Sequence, residues 1–196
     1  YSLLGLLVVI NFTTQLTIDL IFSFFSHKFN IPKVLKAMPV ITLLGDAGIF
    51  WIILAVALLL FPKYRKAGLG MGIALLMGLL LCNLTLKPLC ARIRPYDFLA
   101  EKGVTVDLLI AAQHDFSFPS GHTIASFEAC TVLMLSNKKL GIPAMILACL
   151  IAFSRLYLYV HYPTDVIASV ILGTAFAFLG NYLAQKIMMK LPEKLK

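Results

Sequence analysis

Apolar residues run through this chain in long unbroken stretches rather than in alternation, and short charged clusters separate them. Residues 47–62 are uncharged, and the apolar run reaches back to Met38 across one acid, Asp46. Ala67 to Leu86 and Val166 to Gln185 each hold twenty residues without a charge, the length a helix needs to cross about 30 Å of hydrocarbon. Between them, Ser120 to Asn137 carries His122 and Glu128, and Leu140 to about Tyr159 is interrupted by Arg155. Lys138 and Lys139 join these two as a tight helical hairpin. Lipid offers no partner for exposed backbone N–H and C=O groups, so continuous apolar runs predict helices rather than barrel strands. The expected fold class is all-α, a polytopic membrane helix bundle forming a single domain over residues 1–196.

The N-terminal stretch, Tyr1 to about Ser26, starts apolar and then admits Asn11, Thr13, Thr14, Gln15, Thr17 and Asp19. That mixture suits a span or a helix lying in the interface. Six transmembrane helices are expected, with five plus an interfacial N-terminal helix as the alternative. No cationic stretch precedes Leu3, as a secretory signal would require, and without an initiator Met the first residue is not expected to be the native start. Short basic loops mark the cytoplasmic side. Lys63, Arg65 and Lys66, then Lys138 and Lys139, then Lys186, Lys190, Lys194 and Lys196 all fall on one side by parity. The connection from Lys87 to Pro119 falls opposite and is balanced, with Lys87, Arg92, Arg94 and Lys102 against Asp97, Glu101, Asp107 and Asp115. That side is expected to be external; Lys28, Lys33 and Lys36 run against the six-span threading.

Composition agrees with a membrane protein: 60% of residues are hydrophobic, 13% are charged, and the mean hydropathy is +0.92, whereas a soluble domain carries about 25% charge. Seventeen Lys and Arg against nine Asp and Glu give a net charge of +8. On a soluble chain that excess would raise nucleic acid as a partner; here the cations sit beside spans, membrane lipids are the partner expected, and nucleic acid is not. Cys82, Cys90, Cys130 and Cys149 lie in or at the ends of apolar runs without metal-ligand spacing, and read as small core residues.

Charged groups within or beside a span are costly, so each invites a functional reading and a plainer one. Lys87 is followed seven positions later by Arg94-Pro95; alone, the pair reads as interfacial snorkelling. Phe118-Pro119-Ser120-Gly121-His122 reads as a helix start, with a capping serine and a glycine that admits close approach. Ser154-Arg155, His161 and Asp165 bracket the junction of the last two spans. Pro163 and Thr164 suit the first turn of the final helix, which puts the Asp165 carboxylate within reach of the His161 ring. By parity all three clusters share one face of the membrane. Lys87, Arg94, His122, Arg155 and His161 therefore converge, and so many cationic or titratable groups at a helix N-terminus call for an anion. A phosphate is the obvious one. Carboxylate pairs for glycoside hydrolysis and a phosphate-binding loop ending in Lys-Ser/Thr are both absent from the sequence.

At these residues the chain closely resembles the type 2 phosphatidic acid phosphatase superfamily of integral-membrane lipid phosphatases. Lys87 with Arg94-Pro95, then Pro119 to His122, then Ser154-Arg155, His161 and Asp165 match its three-part signature at every position. The resemblance implies hydrolysis in two steps without a metal or other cofactor. It gives His161 the role of nucleophile, with Asp165 fixing its tautomer. His122 is then the general acid and afterwards the base for water. Lys87, Arg94 and Arg155, with Ser120 and the N–H groups of Gly121 and His122, hold the phosphoryl oxygens. The expected substrate is a lipid phosphate or diphosphate, with undecaprenyl diphosphate and phosphatidylglycerol phosphate first and phosphatidic acid third, cleaved at the outer face of the cell membrane.

Asp46, Asn83 and Glu128 lie within spans, where ordering of the site and interhelical hydrogen bonding are both open. A five-residue offset from Lys87 takes Arg92 off that helical face, and His114 and Asp115 read as a solvated loop. Tyr96, Phe98 and Tyr162 suit an interfacial aromatic belt. Two rivals from other classes use the same charges: a non-hydrolytic transporter of an anionic lipid or phosphate, and a structural protein whose basic loops hold anionic lipid.

Overall fold

A computed structural model describes residues 37–192 of the chain. Predictions on the N-terminal stretch and its lysines, and on Lys194 and Lys196, lie outside the described residues. Within them the fold is all-helical, without strands: α1 (Met38–Leu43), α2 (Ile49–Leu60), α3 (Arg65–Met77), α4 (Lys87–Cys90), α5 (Pro95–Glu101), α6 (Gly121–Ser136), α7 (Lys138–Tyr157) and α8 (Pro163–Lys190). Among the described residues, three helical stretches are long and apolar enough to cross a membrane: Pro62–Glu101, Lys138–Tyr157 and Pro163–Lys190. The chain is thus a multi-pass membrane protein. Asp46–Leu60 is apolar but shorter.

The sequence reading makes one span of Met38 to Pro62, whereas the structure breaks it. A single 3₁₀ turn at Asp46–Gly48 separates α1 from α2, with Ala47 at φ 47° and Gly48 at φ 67°. Two consecutive left-handed residues cannot continue a right-handed helix, and glycine takes the second at no steric cost. Thr42, near the end of α1, meets Arg155, and Asp46, at the break, lies 3.9 Å from His122.

A second irregularity lies between α3 and α4, where Gly78–Leu86 widens into a π-helix. The Lys87 N–H reaches back five residues to Cys82 O, and Thr85 Oγ1 donates to Leu80 O at 2.8 Å. The wider turns change the angular position of Lys87 relative to an α-helical continuation. The helix stops at Cys90 because Ala91 is left-handed (φ 44°).

Helix α6 is the centre of the bundle and packs on α3, α7 and α8. Its sixteen residues make it about 24 Å long at 1.5 Å per residue, short of a full crossing, and nearly every residue from Thr123 to Leu133 is buried against protein. Trp51 of α2 donates its indole N–H to Ser126 Oγ at 3.0 Å, and Ser126 Oγ donates to His122 O at 2.7 Å. Asn137 caps α7 by accepting from Lys139 N at 2.9 Å, which closes the α6–α7 hairpin.

Close approach in that hairpin depends on Gly141, where an added methyl would come within 2.6 Å of Met134 N. Gly141→Ala is therefore expected to destabilise the bundle by about 1–3 kcal/mol, the usual cost of overpacking. Gly72, inside α3, has open space at the same position, and Gly72→Ala is expected to be neutral or to gain up to about 1 kcal/mol of helix propensity. Thermal unfolding in detergent compares the two; equal effects would contradict the packing described.

Candidate active site

Every residue at the three sequence clusters is placed by a helix end. Lys87 follows the π-helical stretch, and Arg94 immediately precedes α5. Ser120 caps α6. Arg155 lies in the last turn of α7, and the chain then turns through Tyr159 (φ 62°) to bring His161 just ahead of α8. Lys87, Arg94, Gly121, His122, Arg155 and His161 line one cavity of about 840 Å³. Away from this polar end its walls are largely apolar and come from α2 and α3, including Ile52, Val56, Leu59, Leu69 and Ile73.

The cations are buried: Lys87 is 8% exposed, Arg94 2% and Arg155 1%. Arg155 donates from Nη1 to Thr42 Oγ1 at 2.7 Å, and the same nitrogen lies 3.4 Å from His122 Nε2. Its Nε is buried without a hydrogen-bond partner among the described residues, an orphaned donor beside the cavity. His122 Nε2 is also 3.9 Å from Asp46 Oδ1. Arg94 donates from Nη1 to Val160 O at 2.7 Å, and that nitrogen stands 3.4 Å from His161 Nε2.

The other face of the His161 ring's hydrogen-bonding edge meets acid. Nδ1 lies 3.4 Å from Asp165 Oδ2 and 3.5 Å from Ser117 Oγ. The fully buried Asp165 accepts from the Ser117 hydroxyl, from Tyr162 N at 3.0 Å and from Arg92 Nη1 at 2.6 Å. Asp165 therefore favours the tautomer with the proton on Nδ1, leaving the Nε2 lone pair towards the cavity. Burial pushes His161 down from its ordinary 6.5 to about 4; Asp165 opposes this and the Arg155 and Arg94 charges add to it. The ring is held neutral at pH 7.

Ser120 and Asp165 stand behind the cavity wall rather than in it. The Ser120 hydroxyl accepts from Thr123 N at 3.5 Å and pairs with Thr123 Oγ1 at 3.0 Å, so it is engaged in the helix cap. Its N–H donates to Ser169 Oγ at 2.8 Å, and Ser169 Oγ donates to Asp165 O at 2.6 Å. The cap of α6 is thereby tied to the first turns of α8.

Four further participants escaped the sequence reading. Arg92 is not on the Lys87 helix at all: after the left-handed Ala91 it reaches α8, donating to Thr164 Oγ1 at 2.7 Å as well as to Asp165, with its guanidinium 3.9 Å above the Tyr162 ring. Asp115, read as a solvated loop residue, pairs with both Lys87 and Arg94. Burial opposes its charge, but the two cations outweigh that and lower its pKa to about 2. Ser117 and Thr42 complete the set. The balanced charge of the connection from Lys87 to Pro119 was the available signal, since acids matched to bases in one loop are candidates for pairing. Asn83 Oδ1 and Glu128 Oε1, both in residues lining the cavity, are buried without a hydrogen-bond partner among the described residues.

A family model described as the PAP2 superfamily matches residues 66–189. An undecaprenyl-diphosphatase of Sulfolobus acidocaldarius is 37% identical over 131 residues, covering 66% of this chain and 61% of that protein. The chain thus spans about three fifths of that relative's length. Phosphatidylglycerophosphatase B of Bacillus subtilis is 33% identical over 162 residues, 76% of this chain and 68% of that one. Among solved structures, the crystal structure of a transmembrane PAP2 type phosphatidylglycerolphosphate phosphatase from Bacillus subtilis superposes with a TM-score of 0.68 at 28% identity, covering 86% of this chain and 85% of that chain.

A depressed histidine pKa makes the fold acid-sensitive with a definite sign. The unfolded chain binds a proton at His161 near pH 6.5 and the folded chain only near 4. The stability linked to this group is complete above pH 6.5 and is lost as pH falls from there towards 4. The melting temperature is expected to fall across that window, and to fall less in His161→Asn. An equal fall in both proteins would contradict a neutral, buried His161.

Proposed function

The chain belongs to the PAP2 superfamily, and from that membership and the site geometry we propose that it hydrolyses a lipid phosphate or diphosphate through a phosphohistidine on His161. One observation carries the reading: three buried cations and two imidazoles share the polar end of a cavity whose remaining wall is largely hydrocarbon. A lipid fits that division, with its phosphate among the cations and its chain against α2 and α3. Undecaprenyl diphosphate and phosphatidylglycerol phosphate are the first substrates to test, since relatives are named for acting on them.

In this mechanism His161 Nε2 attacks phosphorus while the bond to the leaving oxygen breaks. Asp165, on the Nδ1 side, stabilises the positive charge that develops on the ring. Arg92 in turn holds Asp165 and supports it from behind. His122 gives its proton to the leaving oxygen and later takes one from the water that attacks the phosphohistidine, releasing phosphate and regenerating neutral His161. Arg155, with Lys87 and Arg94, receives the equatorial oxygens, whose charge is greatest in the transition state. Ser120 acts through its cap, which sets the direction of the Gly121 and His122 N–H groups; these first groups of α6 have no intrahelical acceptor and face the anion.

Six crossings remain the count proposed, and the N-terminal one lies outside the described residues. The site then faces the extracytoplasmic side of the cell membrane, because Lys63, Arg65, Lys66, Lys138 and Lys139 lie at the opposite ends of the same helices.

Purified protein is expected to release phosphate from these lipids with chelator present, and to be inhibited by vanadate, whose five-coordinate adduct resembles the transferring phosphoryl group. His161→Ala is expected to abolish turnover, His122→Ala to lower kcat by about 10²–10⁴, and Arg94→Ala by about 10²–10³. Phosphate release by His161→Ala at the wild-type rate would remove it as nucleophile. Movement of lipid across sealed vesicles without phosphate release would favour a transporter.

A further inference from the structure

Asp115 holds the two cations that the phosphatase reading assigns to the phosphate. Lys87 Nζ donates to one carboxylate oxygen and Arg94 Nη2 to the other, so the two oxygens of a single anion bridge two cations. A phosphate presenting two oxygens would require the same donors. Elsewhere the Arg94 guanidinium is engaged with backbone: Nε donates to Asp115 O at 2.8 Å and Nη1 to Val160 O at 2.7 Å. Nη2 is therefore the nitrogen whose side-chain partner a substrate can replace.

The surrounding backbone is fixed. The Tyr96 hydroxyl accepts from Gln113 N at 3.0 Å and donates to Gln113 O at 2.9 Å. Ser117 N donates to Arg92 O at 2.8 Å. Positions 113, 115 and 117 are thus each held through their main chain to residues 92–96, while the Asp115 side chain is 54% exposed. That side chain has solvent to turn into without any movement of the loop.

We propose that the Asp115 carboxylate is a built-in competitor for phosphate: it occupies Lys87 and Arg94 in the empty site, turns out to solvent when the substrate phosphoryl group enters, and returns to expel the phosphate product. Three buried cations would otherwise retain inorganic phosphate strongly. With a competing anion one bond away, affinity for substrate and product falls together and turnover is not limited by release. Asp115 therefore sets affinity and touches no reacting atom. The inference rests on the phosphatase reading.

The test compares full-length wild type, Asp115→Asn and Asp115→Glu in detergent, measuring the Kd of inorganic phosphate by calorimetry, its Ki as product inhibitor, and KM and kcat for lipid phosphate. Asp115→Asn is expected to lower the phosphate Kd and Ki by about tenfold, one decade of affinity, and to lower KM without raising kcat. Asp115→Glu keeps the charge and is expected to stay within about threefold of wild type on the same scale. Unchanged or weaker phosphate binding in Asp115→Asn would overturn the proposal and leave Asp115 as a residue that merely orders the cations. Asp115→Ser is held to the same criterion should the amide variant unfold. A wild type that releases no phosphate from lipid sinks the phosphatase reading itself, whereas active wild type with indifferent Asp115 variants sinks only the competitor.

Discussion

Burying like charges together is the constraint on which this structure turns. Lys87, Arg94 and Arg155 are each more than nine-tenths buried and line a common cavity. An isolated ion taken out of water costs several kcal/mol even after relaxation, and neighbouring cations add repulsion. Protein groups answer only part of that demand. Asp115 neutralises Lys87 and Arg94 from the solvent side, Asp165 is shared by Arg92 and His161, and Thr42 gives Arg155 a neutral acceptor. What remains is positive charge lining a largely apolar cavity, and an Arg155 Nε without a hydrogen-bond partner among the described residues. An anion with a hydrocarbon body satisfies both halves.

The bundle delivers these groups by irregularities rather than by regular helix. The left-handed pair at Ala47 and Gly48, the π-helical Gly78–Leu86, the left-handed Ala91 and the left-handed Tyr159 each sit next to a residue of the site. Such backbone departures are tolerated at membrane depth where protein or a water-lined cavity surrounds them. The rigid centre, α6, supplies the fixed reference: its cap is bonded to α8 through Ser169, and its first turn to α2 through Ser126 and Trp51.

Much of this was legible in the sequence, and for identifiable reasons. Twenty-residue uncharged runs report spans directly, so the helices containing Ala67 to Leu86 and Val166 to Gln185 were readable from length alone. Parity then put Lys87, His122 and His161 on one face, and Pro163 fixed where α8 starts. What was not legible depended on single φ angles and on long-range pairing. Nothing in the local pattern says that Ala47 and Ala91 are left-handed, so the break before α2 and the redirection of Arg92 to Asp165 were missed. Asp115 was misread because loop acidity ordinarily means solvation; its partners are 28 and 21 positions away. Thr42 was invisible for the same reason, with 113 positions between it and Arg155.

The account stands or falls on covalent transfer to one ring nitrogen. Rapid quenching of the protein with lipid carrying ³²P at its terminal phosphate, followed by separation in alkali and peptide mapping, reads that step directly. The account predicts an alkali-stable, acid-labile label on the peptide containing His161, absent from His161→Ala and accumulating in His122→Ala if the second step is slowed more than the first. Label-free protein during active phosphate release, or label on a residue other than His161, would contradict it.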